Sequence, residues 1–205
     1  MNTLPLARQV IAALRDNNLT VAACESLTGG MICSTLVDVP GASAVVRGGL
    51  VTYQTDTKTV LAGVPAGLIA EKGVVSAEVA RAMAEGVRLR LGVDIAVSAT
   101  GMASPGAPDE PPAGTVYIGL STMNDTEALP LHLTGSRQEI RCQSVEAALQ
   151  APCCGCAAFT CMTPVLLRTP YRKPSSRHIG LTIPSARRAR SAPGSCPSRS
   201  TPAAI

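Results

Sequence analysis

Hydrophobic positions along residues 1–150 change repeatedly between helical spacing and short continuous runs. Leu6, Val10, Ile11 and Leu14 recur every three or four residues, which predicts an amphipathic helix. Apolar runs predict strands at residues 19–23, 93–99 and 114–120. An alternating pattern predicts a strand at 45–53, and residues 129–133 are predicted as an edge strand. Short helical pieces are predicted at residues 30–36, 56–61 and 66–71. Because helices alternate with buried strands, the pattern indicates an α/β fold, a three-layer α/β/α sandwich in a single domain.

Two further helices have clear start signals. Ser76 can cap the first of them, whose apolar face has a spacing of four and comprises Val79, Met83, Val87 and Leu91. Ser136 and Glu139 form an S-x-x-E capping box at the start of the second. Inside the second strand, the pair Gly48-Gly49 predicts a bulge or a close backbone approach.

A turn with two hydroxyls and two glycines follows the first strand. It contains Ser26, Thr28, Gly29 and Gly30 and leads into a helix. Unpaired backbone amides and the positive end of the helix dipole favour a phosphate or a developing oxyanion at such a turn. Ser26 or Thr28 is therefore a candidate nucleophile or phosphate contact, while ordinary helix capping by a hydroxyl remains the alternative.

A second candidate edge follows the third strand. That strand delivers Thr100 and Gly101 to its carboxyl end, and a loop with four prolines continues over residues 102–113. Ligands of open α/β sheets lie beyond the carboxyl ends of the strands. We therefore expect Thr100-Gly101 and the Ser26 turn to border the same site.

The available side chains limit how a serine here is activated. His132, the one histidine of residues 1–150, lies in a predicted edge strand, which makes a Ser-His-Asp triad hard to assemble. A lysine base is the remaining choice, and Lys58 follows Tyr53 by five residues. The amine accepts a proton only when neutral, a state that burial or nearby cations such as Arg47 or Arg137 promote. A solvated helix lysine and a strand-ending tyrosine remain the alternatives.

Charge and composition divide the chain after residue 150. Residues 1–150 hold 10 Lys and Arg against 14 Asp and Glu, whereas residues 151–205 hold eight basic residues, no acidic residue, five cysteines and eight prolines. We predict a disordered or frameshift-derived tail at 151–205. A basic arm and a metal site built on Cys153, Cys154, Cys156 and Cys161 are the alternatives. The other reading frames after codon 150 decide this, since a shifted frame should continue the last helix.

Composition also narrows the partners. One phenylalanine, no tryptophan and an acidic first part argue against nucleic-acid binding. No membrane-spanning run and no signal-peptide pattern occur in the sequence, so we expect a cytoplasmic location and no membrane partner.

Seven parts of the sequence occur in the order and at the spacing of one known family, over about residues 5–150. They are Glu25-Ser26-Leu27-Thr28-Gly29-Gly30, Asp38-Val39-Pro40-Gly41-Ala42-Ser43, Gly48-Gly49-Leu50-Val51-Thr52-Tyr53, Lys58, Gly73-Val74-Val75-Ser76, Thr100-Gly101-Met102-Ala103-Ser104-Pro105-Gly106 and Gly114-Thr115-Val116. In these segments the chain resembles the C-terminal domain of the competence/damage-inducible CinA proteins, a family that includes stand-alone nicotinamide-nucleotide amidases.

The resemblance implies hydrolysis of the carboxamide of nicotinamide mononucleotide to nicotinate mononucleotide and ammonia, without metal or cofactor, by a homo-oligomer. It implies that Ser26 is the nucleophile, Lys58 its base and Tyr53 their partner. The implied substrate contacts are the turn residues Thr28, Gly29 and Gly30, the pair Thr100-Gly101, and Arg137 or Arg141.

Two positions depart from the family pattern. Leu27 stands where the family usually has Cys, and Ser104 replaces a Gly usual in the stretch T-G-I-A-G-P. A Cβ at position 104 hinders a close approach to the backbone and disfavours a positive φ. We therefore expect the serine to affect substrate binding. The alternative function is a catalytically impaired nucleotide- or phosphate-binding module of the same fold.

Overall fold

The computed structural model of the chain describes residues 3–151, so the tail predicted at 151–205 lies outside the described residues from residue 152 onward. The helices are α1 (Leu4–Asp16), α2 (Met31–Val37), α3 (Thr55–Ala62), α4 (Ala66–Lys72), α5 (Ala77–Leu91) and α6 (Arg137–Gln150). The strands are β1 (Val21–Glu25), β2 (Val46–Val51), β3 (Ile95–Gly101), β4 (Thr115–Ser121) and β5 (Thr126–His132). Each predicted element is confirmed, with ends that move by up to three residues.

The five strands form one sheet in the order β2-β1-β3-β4-β5. Strand β1 runs parallel to both β2 and β3, whereas β4 and β5 continue the sheet antiparallel. The carboxyl ends of β1, β2 and β3 therefore meet at one edge. As the sequence predicted, β5 is an edge strand, and His132 at its end is exposed.

Helices cover both faces of the sheet, because successive strand residues point to opposite sides. On one face, Val21 and Ala23 pack in a core with residues of α1, α2 and α6. On the other, Ala22 and Cys24 pack with residues of α3, α4 and α5. This arrangement confirms the α/β/α sandwich. No helix within residues 3–151 is long and apolar enough to cross a membrane.

Local signals in the sequence explain the ends of several elements. Ser76 accepts a hydrogen bond from the Val79 amide at the start of α5, and Ser136 with Glu139 forms the predicted capping box of α6. The β1–β2 register shifts by one residue beside Gly48, which is the predicted bulge. The two caps fix the starts of α5 and α6, whereas the bulge lies at the amino ends of β1 and β2.

Candidate functional site

The turn between β1 and α2 presents Ser26 at the carboxyl edge of the sheet. The Ser26 amide donates to the Ala99 carbonyl on β3 at 2.9 Å, which ties the turn to the centre of the sheet. Gly29 has φ +62° and Gly30 has φ +96°, a left-handed backbone that glycine adopts without strain. The glycine pair therefore lets the chain reverse direction directly after Ser26.

Glu25 fills the amino end of α2 with its own carboxylate. Its oxygens accept from the amides of Gly30 at 2.9 Å, Ile32 at 3.0 Å and Cys33 at 2.8 Å, and the side chain is 1% exposed. These amides are therefore not free for a ligand, contrary to the expectation from the sequence. Sequence reasoning missed this role for Glu25. The available signal was an acidic residue at the end of an otherwise apolar strand, since a buried carboxylate requires several donors.

Arg141 holds the same turn by its backbone carbonyls. Its Nε donates to the Leu27 carbonyl at 2.9 Å, and its Nη2 donates to the Thr28 carbonyl at 3.0 Å. A third nitrogen, Nη1, donates to Gln138 at 3.2 Å. The structure thus brings Arg141 to the backbone of the turn, while Arg137 lines the cleft.

Lys58 reaches Ser26 from the first turn of α3. Its Nζ lies 3.1 Å from Ser26 Oγ and donates to the Thr52 carbonyl at 2.8 Å. The lysine is 0% exposed, and within residues 3–151 no carboxylate forms a salt bridge with it. The structure therefore shows a buried amine against a hydroxyl, and not the solvated helix lysine that the sequence left open.

Burial is the largest cause that lowers the pKa of Lys58, and the nearby Cys24 thiol opposes this shift. Burial also raises the pKa of Cys24 to about 11, so this thiol is neutral at pH 7. The sequence had offered Arg47 or Arg137 as further causes of a neutral lysine. Neither arginine is among the causes, and desolvation favours the free amine.

Tyr53 lines the same cleft through different contacts. It is 57% exposed, and its hydroxyl accepts from Arg137 Nη2 at 3.2 Å. Arg137 Nη1 donates to Ser104 Oγ at 3.1 Å. The structure therefore joins Tyr53 to Arg137 and Ser104, and among the described residues it shows no hydrogen bond from Tyr53 to Ser26 or Lys58.

Thr100 and Gly101 contribute mainly through the backbone that they position. Thr100 is fully buried and donates to the Val74 carbonyl at 3.0 Å, which holds a segment of the cleft wall. A Cβ at Gly101 would lie 2.6 Å from the Thr115 carbonyl, so glycine is required there for packing against β4. Thr28 is also fully buried, and its Oγ1 has no hydrogen-bond partner among the described residues.

A cleft of about 750 Å³ lies above the Ser26–Lys58 pair. Its lining comprises Ser26, Leu27, Tyr53, Thr55, Lys58, residues 72–75, residues 100–105, residues 109–111 and Arg137. Within residues 3–151, no three His, Cys, Asp or Glu side chains are grouped closely enough to hold a metal ion. The cysteine cluster that begins at Cys153 lies outside this range.

Comparisons with known proteins agree with this architecture. The family model described as the CinA C-terminal domain matches residues 3–152. A CinA-like protein of Frankia casuarinae is 44% identical over 140 residues, which cover 68% of this chain and 32% of that protein. A putative competence-damage inducible protein of Streptococcus pyogenes is 46% identical over 137 residues, which cover 66% and 32%. The match thus spans about a third of the length of these curated relatives.

Solved structures extend the comparison to the fold. The competence/damage inducible protein of Agrobacterium tumefaciens superposes with a TM-score of 0.71 at 32% identity, covering 82% of this chain and 97% of that one. A CinA superfamily protein of Klebsiella pneumoniae gives a TM-score of 0.73 at 27% identity, covering 80% and 99%.

Proposed function

The chain belongs to the CinA C-terminal domain family, and we propose that it is a nicotinamide-nucleotide amidase that uses Ser26 and Lys58. Its reaction is the hydrolysis of the carboxamide of nicotinamide mononucleotide, which gives nicotinate mononucleotide and ammonia. One observation carries the proposal. The buried Lys58 amine, with no carboxylate partner among residues 3–151, lies 3.1 Å from a serine hydroxyl at the base of a cleft.

The first half of the reaction transfers the acyl group to the protein. Neutral Lys58 takes the hydroxyl proton as Ser26 Oγ attacks the amide carbon, and a tetrahedral oxyanion forms. The protonated Lys58 then gives this proton to the amide nitrogen. The C–N bond breaks, ammonia leaves, and the nicotinoyl group remains as an ester on Ser26.

The second half returns the protein to its starting state. Lys58, neutral again, takes a proton from a water molecule that attacks the ester carbon. The bond between this carbon and Ser26 Oγ breaks, and Lys58 returns the proton to the oxygen. The product is the carboxylic acid, which releases its proton to solvent and becomes the carboxylate, and no oxidant, reductant or second substrate is needed beyond water.

The amides of Leu27 and Thr28 are the proposed donors to the oxyanion. They directly follow the nucleophile and, in contrast to the neighbouring amides of Ser26, Gly29 and Gly30, donate to no other group among residues 3–151. Glu25 accepts from backbone amides at and beyond the end of the turn and Arg141 donates to carbonyls within it, which keeps the proposed donors in place before the reaction begins. Both are positioning residues in this mechanism.

The phosphate end of the substrate is assigned to Arg137, since Arg141 is engaged with backbone carbonyls. The alternative of a phosphate-binding module centred on the turn is less favoured, because the carboxylate of Glu25 already occupies the helix amides. The family resemblance further implies a homo-oligomer that acts on this small-molecule nucleotide in the cytoplasm.

The test is ammonia release from nicotinamide mononucleotide. Ser26→Ala should lower turnover by about a thousandfold while the substrate still binds, because only the nucleophile is removed. Ser34→Ala is the matched control, since Ser34 is an exposed serine on α2, close to Ser26 in sequence. No turnover by the unmodified chain, or full turnover by Ser26→Ala, would refute the proposal.

A further inference from the structure

Arg137 lies at the rim of the cleft, where its guanidinium donates to two hydroxyl groups. Its Nη1 donates to Ser104 Oγ at 3.1 Å, and its Nη2 donates to the Tyr53 hydroxyl at 3.2 Å. Among residues 3–151 the only salt bridges join Lys72 to Glu71 and Arg81 to Glu78. Asp109 and Glu110 line the same cleft, but neither lies within salt-bridge distance of Arg137. The guanidinium therefore has no ion-pair partner among residues 3–151.

This arrangement leaves several donors available to an anion. A guanidinium has five N–H groups, and two of them are used here, so three remain. Each hydroxyl accepts from Arg137 and so retains its own proton to donate. One cation and two hydroxyls thus form a cluster of donors at the mouth of a cleft whose base holds the reactive pair.

Ser104 has no other role in the described structure. Asn18 is the only non-glycine residue with a positive φ among residues 3–151, so the backbone at position 104 accepts a side chain without strain. The hydrogen bond from Arg137 is the one contact recorded for the Ser104 hydroxyl in this range. The Cβ is therefore tolerated, and what the serine adds is a polar group directed at Arg137.

We propose that Ser104 is a specificity-determining residue that, with Arg137 and Tyr53, binds the phosphate monoester end of the substrate. The inference rests on the proposed function for the identity of the substrate. Ser104 acts in two ways, since its hydroxyl fixes the plane of the guanidinium and donates its own proton to a phosphate oxygen. Ser104 does not contribute to the binding of substrates that lack the phosphate.

The site can be tested without any amide chemistry by measuring the binding of ribose 5-phosphate to the full chain by NMR titration. Ser104→Ala should raise the dissociation constant roughly five- to tenfold, because one hydrogen bond to a charged group is lost. Ser104→Thr keeps a hydroxyl, and Ser34→Ala removes a serine from an exposed helical position, so both should stay within about twofold of the unmodified chain.

A second measurement separates this inference from the proposed function. Ser104→Ala should raise KM for nicotinamide mononucleotide by the same factor and leave KM for nicotinamide riboside and both kcat values unchanged. Absence of saturable ribose 5-phosphate binding, or an unchanged dissociation constant in Ser104→Ala, would overturn the role of Ser104. If the chain binds ribose 5-phosphate as expected but releases no ammonia, the amidase proposal alone fails.

Discussion

Lys58 and Arg137 line the same cleft, yet their surroundings are opposite. Lys58 is 0% exposed and contacts one hydroxyl and one backbone carbonyl at the base of the cleft. Arg137 is exposed at the rim and contacts two hydroxyls. Neither has an acidic partner among residues 3–151, so solvation is the main difference between them.

In the proposed mechanism, this difference in solvation suits each cation to a different task. Desolvation disfavours the charged form, so the base of the cleft turns an amine into a proton acceptor. A guanidinium remains charged under nearly all conditions, and water at the rim removes the penalty for that charge. The proposed mechanism thus places proton transfer at the buried end of the cleft and substrate recognition at the hydrated end, a division between the two cations.

Replacing each cation by an apolar side chain of similar length should have effects of different kinds. Lys58→Met should lower kcat by about a thousandfold, because the general base is lost while the buried volume is kept. Arg137→Met should mainly raise KM, because the contact that it removes binds the substrate equally in the ground state and the transition state. Steady-state ammonia release measures both. Comparable losses of kcat in the two variants would contradict the division.

The pH dependence of kcat should report the titration of Lys58 and should not depend on Arg137. Because the pKa of Lys58 is lowered from its ordinary value of 10.5, the neutral amine becomes available at lower pH than in an exposed lysine. With saturating substrate, kcat should rise about tenfold per pH unit below that pKa and level off above it. Arg137→Met should retain the same profile, since the guanidinium does not titrate there. A kcat that is flat from roughly pH 6 to 10 would contradict a lysine base that titrates within this range.

The helices and strands of the fold could be predicted from patterns among residues that are close in sequence. The apolar face of α5, the cap at Ser76 and the box of Ser136 with Glu139 depend on residues close in sequence. The placement of Ser26 and Thr100 is also predictable from nearby residues. Ser26 directly follows β1, Thr100 lies near the end of β3, and these two buried strands run parallel. Such features are predictable since helical and strand periodicity act over a few residues.

The contacts that prepare the site depend on distant residues and could not be predicted in the same way. Arg141 lies 113 positions from Thr28 and Arg137 lies 84 positions from Tyr53, so only the packing of α6 beside the turn brings them together. Burial of Lys58 likewise follows from the placement of α3. The sequence shows which side chains are charged, whereas tertiary packing determines which of them are desolvated.

The smallest expected effect concerns stability and follows from the same contrast in solvation. Lys58→Met should raise the free energy of unfolding at pH 7 by about 1 kcal/mol, because it removes the cost of burying an amine without a charged partner. The lowered pKa sets the pH dependence, since the unfolded chain binds more protons than the folded chain between the folded pKa and 10.5. The difference in free energy of unfolding between the variant and the unmodified chain is therefore largest below the folded pKa, and it disappears as the pH rises to 10.5.

Denaturant unfolding at several pH values measures this effect, with Arg137→Met as the matched control. That variant should change the free energy of unfolding by less than about 0.5 kcal/mol, because the rim arginine is already hydrated in the folded protein. If Lys58→Met instead destabilises the fold by an amount that does not vary with pH, the lysine is fully compensated in the folded state. Burial of Lys58 would then carry no net energetic cost, which would contradict the proposed lowering of its pKa by desolvation.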